Sequence, residues 1–253
     1  MSDFPPDFSS ARVCPSPNHG ERKDGRAVDM LILHYTGMPT AEGALDWLCA
    51  QESQVSSHYF VDEAGLVIQL VPENERAWHA GQSQWKGESD INSASIGIEI
   101  ANPGHAAGSP PFHEAQIEAV IGLCRNIIDR HALAAERVLA HSDIAPMRKQ
   151  DPGEVFPWGR LHVAGIGHWV EPLPVSGGRF FQEGDTGQPV EALQTMLALY
   201  GYGVRVDGSY DAETTATIRA FQRHFRPERV DGIADASTIG TLHKLLSSLP
   251  TVA

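Results

Sequence analysis

The segment Val28-Asp29-Met30-Leu31-Ile32-Leu33-His34 decides the fold class. A nearly continuous apolar run of this length is typical of a strand that is buried on both faces. A second strand follows at residues 96–100, where strict alternation places Glu99 on the face opposite three isoleucines. Between residues 114 and 131, apolar side chains recur at the spacing of a helix. We therefore predict an α/β fold with a mixed central β-sheet flanked by helices.

Other local signals place further elements around these strands. Thr40 is a good N-cap for a following helix. Residues 58–61 and 66–70 are predicted strands joined by a short hairpin-like connection, and residues 137–140 form another short strand. Residues 1–26 are polar, rich in Pro and Ser, and lack periodicity, which predicts an extended arm that wraps the first domain.

The last third of the chain has a different character. Prolines and glycines at residues 171–178 are typical of a linker. Beyond them, Val-Asp-Gly-Ser-Tyr-Asp-Ala-Glu-Thr at 206–214 matches Val-Asp-Gly-Ile-Ala-Asp-Ala-Ser-Thr at 230–238, and helical periodicity surrounds both copies. We expect two units that fold separately, the second small and all-α. The alternative is a second unit that packs on the first and stabilises it. The predicted divisions are an arm at 1–26, a first domain at 27–170, a linker at 171–179 and a second domain at 180–250.

Composition excludes several classes of protein. The 253 residues carry 19 basic and 32 acidic side chains, so the net charge of −13 argues against a nucleic-acid binder. No apolar run approaches the ~20 residues that a membrane helix needs. The N-terminal residues show neither a basic n-region nor an apolar h-region, so we expect a cytoplasmic protein, or a periplasmic one if a leader has been removed. Three widely spaced cysteines do not form a disulfide framework.

Two histidines occupy positions that favour chemistry. His34 and His141 each follow an apolar strand-like segment directly, and rigid strand ends are where sheet-based enzymes place functional groups. The segment 141–153 is polar and dense in functional groups. Two neutral imidazoles and one carboxylate would make a three-ligand zinc site with a fourth position open for water. On this pattern alone, structural histidines beside a solvated acidic loop are the alternative.

Several motifs connect the first domain to a known family. Taken together, and in this order, they resemble the zinc-dependent N-acetylmuramoyl-L-alanine amidases of the amidase-2 family, whose fold the peptidoglycan recognition proteins share. The resemblance covers about residues 28–160. The motifs are Leu31-Ile32-Leu33-His34-Tyr35-Thr36, Ser57-His58-Tyr59-Phe60-Val61, Arg76-Ala77-Trp78-His79-Ala80-Gly81, Ser95-Ile96-Gly97-Ile98-Glu99, and His141-Ser142-Asp143 with Arg148-Lys149 and Asp151-Pro152-Gly153.

The second domain resembles the peptidoglycan-binding-1 module. The resemblance implies that this domain contacts the cell-wall polymer and captures substrate for the first domain. Its signature residues are Gly184-Asp185-Thr186-Gly187, Leu193-Gln194, Gly201-Tyr202, Val206-Asp207-Gly208 and Phe221-Gln222.

The amidase resemblance implies specific roles for residues of the first domain. One zinc ion per chain would be held by His34, His141 and Asp151. Glu99 would move a proton between water and the leaving amine; the alternative for Glu99 is an exposed surface position. Lys149 would stabilise the developing oxyanion, and its alternative is a solvated loop lysine.

Four further residues are expected to contact substrate. Arg148 matches a family residue that contacts the peptide part of the substrate, although a surface salt bridge is its alternative. Tyr35, Trp78 and His79 are expected to line the cleft, and core packing is the alternative for Trp78.

The resemblance implies hydrolysis of the amide between N-acetylmuramic acid, or anhydro-muramic acid, and L-alanine. The expected partners are peptidoglycan fragments or the sacculus, and the expected state is a monomer without a membrane segment or bound nucleic acid. Two rival functions are a binding-only peptidoglycan recognition protein and a cell-wall endopeptidase with the same metal chemistry. The complete zinc ligand set argues against the binding-only protein.

Overall fold

A computed structural model describes residues 4–178 and 180–249 of the chain. Within these residues no helix has the length and apolarity to span a bilayer. The strands are β1 Arg12–Val13, β2 His19–Glu21, β3 Met30–Tyr35, β4 Tyr59–Val61, β5 Val67–Gln69, β6 Glu75–Ala77, β7 Ser95–Ile100 and β8 Val138–Ala140. The helices are α1 Ala41–Cys49, α2 Ile91–Ala94, α3 Glu114–His131, α4 His141–Ile144, α5 Trp158–Val163, α6 Gln188–Tyr200, α7 Ala212–Phe225 and α8 Ala236–Ser248.

The central sheet is mixed, as the sequence predicts. Its six strands lie in the order β1-β5-β4-β7-β3-β8, and every neighbouring pair is parallel except the antiparallel hairpin of β4 and β5. The two strands with the strongest sequence signals, β3 and β7, are neighbours near the centre. Their register places His34 beside Glu99.

Both faces of β3 are buried, which explains its nearly continuous apolar sequence. Leu31 and Leu33 lie in a core cluster with the apolar side chains of α3. Met30 and Ile32 point to the opposite face and lie in a second cluster. Because His34 follows Ile32 by two residues along the strand, its side chain emerges on the face of Met30 and Ile32.

The N-terminal residues do more than wrap the first domain. β1 adds a parallel edge strand to β5, and β2 pairs antiparallel with β6 in a second small sheet. Arg22, which directly follows β2, is 8% exposed and donates hydrogen bonds to the carbonyl oxygens of Glu73, Ser93 and Ser95. Residues 12–13 and 19–21 of the expected arm therefore form paired strands, which local sequence does not indicate because two- and three-residue strands carry no periodic signal.

The internal repeat builds the same local structure twice. Gln194 accepts hydrogen bonds from the backbone N–H groups of Asp207 and Gly208, at 3.0 and 2.8 Å. In the second copy, the Gln222 side chain accepts equivalent bonds from the backbone of residues 231 and 232. Each Asp-Gly turn then leads into a helix capped by an aspartate: Asp211 caps α7, and Asp235 caps α8.

The helical region shares its core with the first domain. Trp85 is fully buried, and its ring packs edge-on against Tyr200 and Tyr202, with centroids 6.0 and 5.0 Å away. Met30 and Ile32 of β3 belong to the same buried cluster as the inner side chains of α6, α7 and α8. The two regions therefore pack on each other, which is the arrangement of the alternative expectation. Local sequence showed the linker, but not that the face of the sheet beside it needs a cover.

Truncation after Pro174 is therefore expected to destabilise the first domain. It uncovers Trp85 and the face of the sheet that contains Ile32, and exposing a buried apolar side chain costs about 1.5–3 kcal/mol each. The melting temperature should fall, and hydrolysis of a small muropeptide and of intact sacculi should fall together. Calorimetric melting and turnover assays check this. An unchanged melting temperature with undiminished turnover of the small muropeptide would show independent units.

Candidate metal centre and active site

Three candidate ligands meet at the carboxyl end of the central sheet. β3 and β8 are parallel neighbours, and their register brings His34 and His141 to the same edge. The two Nδ1 atoms lie 2.8 Å apart. Asp151 Oδ2 lies 3.1 Å from the first and 2.9 Å from the second. All three side chains are buried, and they are the metal-compatible group that the described part of the chain contains.

The partners of His141 define its lone pair. Its Nε2 lies 3.1 Å from the carbonyl oxygen of Ala80. A carbonyl can only accept, so Nε2 carries the hydrogen and donates. With its hydrogen on Nε2, the ring can offer the Nδ1 lone pair to a metal on the side of Asp151.

A chain of hydrogen bonds defines the lone pair of His34 in the same way. The Ser95 hydroxyl donates to the carbonyl oxygen of Ile91 at 2.6 Å, so its oxygen accepts from His79 Nε2 at 3.2 Å. His79 Nδ1 then accepts from His34 Nε2 at 3.0 Å. This leaves the Nδ1 of His34 unprotonated and aimed at His141 and Asp151. Fixing the tautomer of a ligating histidine through its other nitrogen is a common feature of metal sites.

The donor set fits a divalent metal. With these tautomers, two imidazole lone pairs and one carboxylate oxygen converge, a donor set that a divalent cation can satisfy. Burial, together with the nearby His141, lowers the pKa of His34 to about 4, so this imidazole is neutral at pH 7. Burial raises the pKa of Asp151, but the adjacent His141 and His34 outweigh it and hold that pKa below its ordinary value. Nitrogen and oxygen donors of this kind suit zinc.

Glu99 stands beside this group without belonging to it. It lies next to His34 in the β3–β7 register. Its Oε2 atom is enclosed and has no hydrogen-bond partner in the described residues. Burial and the neighbouring Asp151 raise the pKa of Glu99 well above its ordinary value, while Lys149 acts against them. A buried carboxyl with an unused oxygen and a raised pKa is suited to proton transfer.

His141, Asp151 and Glu99 border a cavity of about 430 Å³. One side of the cavity is polar, and the other is built from apolar side chains of α1 and neighbouring loops. Trp47 belongs to the apolar side and is 47% exposed. Its local sequence gives no signal of a functional role. The apolar side chains are Met38, Ala44, Trp47, Leu48, Val55 and Trp78.

Tyr35, Trp78 and His79, which are expected to contact substrate, all line this cavity, and they differ in how far their side chains are already hydrogen-bonded. Tyr35 lines it, and its hydroxyl donates to His105 Nδ1 at 2.9 Å. Trp78 is half-buried in the cavity wall rather than in the core. His79 also lines the cavity, but both of its ring nitrogens are engaged by His34 and Ser95. His79 therefore orients the candidate metal ligand His34.

Arg148 and Lys149 differ in the hydrogen bonds that their side chains form. The guanidinium of Arg148 donates to the carbonyl oxygens of Ala80 and Gln82, at 3.0 and 2.6 Å. It therefore braces the same loop that receives the His141 hydrogen bond. Lys149 also lines the cavity, and its charge acts on both His34 and Glu99.

The second domain reaches the loop that supplies two of the ligands. Asp143, between His141 and Asp151 in sequence, is fully buried. Its carboxylate accepts from the Tyr202 hydroxyl at 2.7 Å and from His224 Nδ1 at 2.6 Å. Local sequence cannot indicate these contacts, since Tyr202 and His224 lie 59 and 81 residues from Asp143 along the chain. Tyr202, which follows α6, and His224 of α7 thus hold the segment 141–151, which contains two of the candidate ligands.

Two family models match the chain. The model for N-acetylmuramoyl-L-alanine amidase matches residues 24–154, which is more than half of the chain. The model for a peptidoglycan binding domain matches residues 186–242.

Curated proteins are similar over most of the chain. The N-acetylmuramoyl-L-alanine amidase AmiD of Escherichia coli is 42% identical over 234 residues, which cover 87% of this chain and 82% of AmiD. The 1,6-anhydro-N-acetylmuramyl-L-alanine amidase AmpD of Escherichia coli is 33% identical over 170 residues, 60% of this chain and 91% of AmpD.

Solved structures share the architecture of both domains. AmiD from E. coli, in complex with the substrate anhydro-N-acetylmuramic acid-L-Ala-D-gamma-Glu-L-Lys, has a TM-score of 0.76 at 39% identity and covers 89% of this chain and 91% of its own. AmpDh3 from Pseudomonas aeruginosa, in complex with an anhydromuramic pentapeptide, has a TM-score of 0.74 at 30% identity and covers 99% of this chain and all of its own.

Proposed function

The chain belongs to the N-acetylmuramoyl-L-alanine amidase family, and we propose that it hydrolyses its substrate with one zinc ion held by His34, His141 and Asp151. The bond hydrolysed is the amide between N-acetylmuramic acid, or its anhydro form, and L-alanine. The observation that supports this most strongly is the convergence of the Nδ1 atoms of His34 and His141 and a carboxylate oxygen of Asp151 beside Glu99.

A zinc ion at these residues would supply Lewis acidity toward the scissile carbonyl and toward water. Glu99 Oε2, which has no competing partner, accepts a proton from the attacking water and returns it to the leaving nitrogen of L-alanine. The fixed tautomers of His34 and His141 keep both Nδ1 atoms available throughout.

The rest of the cavity positions the substrate. Lys149 places a positive charge on the metal side of the cavity, where negative charge develops on the carbonyl oxygen. Trp47, Leu48 and Trp78 offer an apolar surface to the sugar ring and the lactyl group. Arg148 contributes by holding the loop at residues 80–82.

Replacing Lys149 by alanine is expected to lower kcat by roughly 10²–10³-fold, the scale of a lost oxyanion donor. Metal content should stay unchanged, because Lys149 is not a ligand. Steady-state kinetics on a small muropeptide check this, with Lys149→Arg as a charge-retaining variant and Lys244→Ala as a control on the exposed face of α8. A kcat within a factor of two of wild type would make Lys149 a solvated loop residue.

The second domain, which we place at residues 180–250, is proposed to contact the cell-wall polymer. The support is its match to the peptidoglycan binding family. In this proposal it serves two purposes: it raises the local concentration of polymeric substrate, and it covers the sheet and holds the ligand loop.

Product analysis tests the proposed reaction. The zinc-loaded protein is incubated with anhydro-N-acetylmuramoyl-L-Ala-D-γ-Glu-L-Lys, and the products are identified by mass spectrometry. We expect the free anhydro sugar acid and the intact tripeptide. Cleavage within the peptide would indicate an endopeptidase, and unchanged substrate that remains bound would indicate a recognition protein.

A further inference from the structure

A second cavity adjoins the metal cavity and lies between the two domains. Its volume is about 580 Å³. One side is a single face of α7, with Ala212, Thr215, Arg219 and Arg223. The segment 146–150 forms the other side, and its last three residues line both cavities. A chain that leaves the metal cavity along this segment therefore enters the second one, which we call the α7 groove.

The α7 groove contains two like charges at close spacing. Arg219 and Arg223 are four residues apart on the helix, and like charges at this spacing repel each other. Burial lowers the pKa of Arg223, and the neighbouring Arg219 lowers it further, while Glu154 acts in the opposite direction. Two basic side chains of α7 thus line one groove of a chain whose net charge is −13.

The arginines have only part of their hydrogen-bonding capacity in use. Arg223 donates from Nη2 to the Gln150 side chain at 3.1 Å. Its enclosed Nε atom lies 3.8 Å from the Glu154 carboxylate and has no hydrogen-bond partner among the described residues. Arg219 is exposed and reaches only the carbonyl oxygen of Asp231, at 3.4 Å. Across residues 4–178 and 180–249, no acidic side chain forms an ion pair with Arg219. Glu183 is the acidic residue that lines the groove.

The guanidinium groups of Arg219 and Arg223 can bind an anion, and the neighbouring metal cavity indicates that this anion is part of the substrate. Guanidinium groups bind carboxylates through paired hydrogen bonds. The small side chains of Ala212, Thr215 and Ala216 leave room for an extended peptide. A stem of three residues reaches about 10 Å beyond the scissile amide, and its γ-linked glutamate has a free α-carboxylate.

We propose that the α7 groove is a subsite for the stem peptide, in which Arg219 and Arg223 bind the free α-carboxylate of the γ-linked glutamate. This deepens the proposed function and rests on it. The second domain then takes part in recognising the same substrate molecule that is hydrolysed at the metal centre, in addition to any contact with the polymer.

The test compares three substrates and matched variants of the full chain. The substrates are anhydro-N-acetylmuramoyl-L-Ala, the same compound extended by D-γ-Glu-L-Lys, and a tripeptide version in which an amide replaces the α-carboxylate of the glutamate. The variants are Arg219→Gln, Arg219→Gln with Arg223→Lys, and Lys244→Gln as a control. Kinetics give kcat and KM for each pair.

We expect the preference for the tripeptide over the L-alanine substrate, as a ratio of kcat/KM, to fall about three- to fivefold in Arg219→Gln, the scale of one partly exposed charge pair. The double variant should lose about tenfold, mainly through KM. Amidation of the glutamate should remove the preference in the wild type and make the variants indistinguishable from it. A preference that survives in the double variant, or that falls equally for the amidated substrate, would overturn the proposal.

A binding measurement separates this proposal from the proposed function. If the wild type hydrolysed none of the substrates, the amidase function would fail, and the α7 groove would be decided by calorimetric titration with free L-Ala-D-γ-Glu-L-Lys. We expect binding that the double variant loses. Inorganic phosphate, added as a competitor, should displace the peptide only at much higher concentration. Equal displacement by phosphate would indicate a general anion site and contradict a peptide subsite.

Discussion

Replacement of Glu99 by glutamine is expected to reduce kcat by about 10²–10⁴-fold while the protein keeps its metal. Glutamine preserves the shape of the side chain but cannot accept the proton of the attacking water. The expectation follows from the position of Glu99 beside His34 on β7 and from its enclosed Oε2 atom, which has no structural hydrogen bond to lose in the described chain. Steady-state kinetics and metal analysis of the same preparation measure both quantities.

A surface substitution serves as the control for effects of mutation and purification that are unrelated to catalysis. Glu52→Gln makes the same chemical change at an exposed position after α1 and should leave kcat and metal content unaltered. If Glu99→Gln turned over substrate at close to the wild-type rate, Glu99 would be structural, and another group would have to move the proton.

Asp151→Ala is expected to lose both the metal and the activity, down to the rate of chelator-treated protein. The substitution removes one of three converging donors and leaves the facing lone pairs of His34 and His141 without a carboxylate. His34→Ala should behave in the same way, since each ligand is needed for an open three-ligand site.

Elemental analysis and activity on a small muropeptide check this second prediction. Asp129→Ala, an exposed position on α3, is the matched control and should retain wild-type metal content. An Asp151→Ala protein with a full equivalent of zinc would show that the metal is held elsewhere.

The elements that the sequence predicts well are those with strong local signals. α3 begins and ends where its apolar spacing does, and Thr40 caps α1 by accepting a hydrogen bond from the backbone of Gly43. β3 and β7 were predictable because a buried central strand has a nearly unbroken or strictly alternating apolar pattern. The short strands β1 and β2 were not, because pairing with distant residues stabilises them rather than any local preference.

The candidate site divides in the same way. His34 and His141 stand out as side chains at the ends of apolar strands, before any family is considered. Asp143 and Asp151 look equivalent in sequence, as two carboxylates in one polar segment. The family resemblance points to Asp151, and the tertiary structure gives the physical difference: Asp151 turns to the histidines, and Asp143 turns to Tyr202 and a histidine of α7.

The role of the linker shows a further limit of local sequence. Prolines and glycines at 171–178 predict a connection between elements of different character. They do not reveal whether the joined regions touch. The burial of Trp85 between the sheet and α6 depends on a contact between residues more than 100 positions apart, which no short pattern encodes.

The central claim is that His34, His141 and Asp151 hold one zinc ion on which activity depends. The most direct measurement is the zinc content of the purified full-length protein, followed with activity during chelation and stepwise addition of zinc. We predict one equivalent of zinc per chain, loss of activity on chelation, and recovery that is complete at one equivalent. Full activity in protein without bound metal would contradict the account.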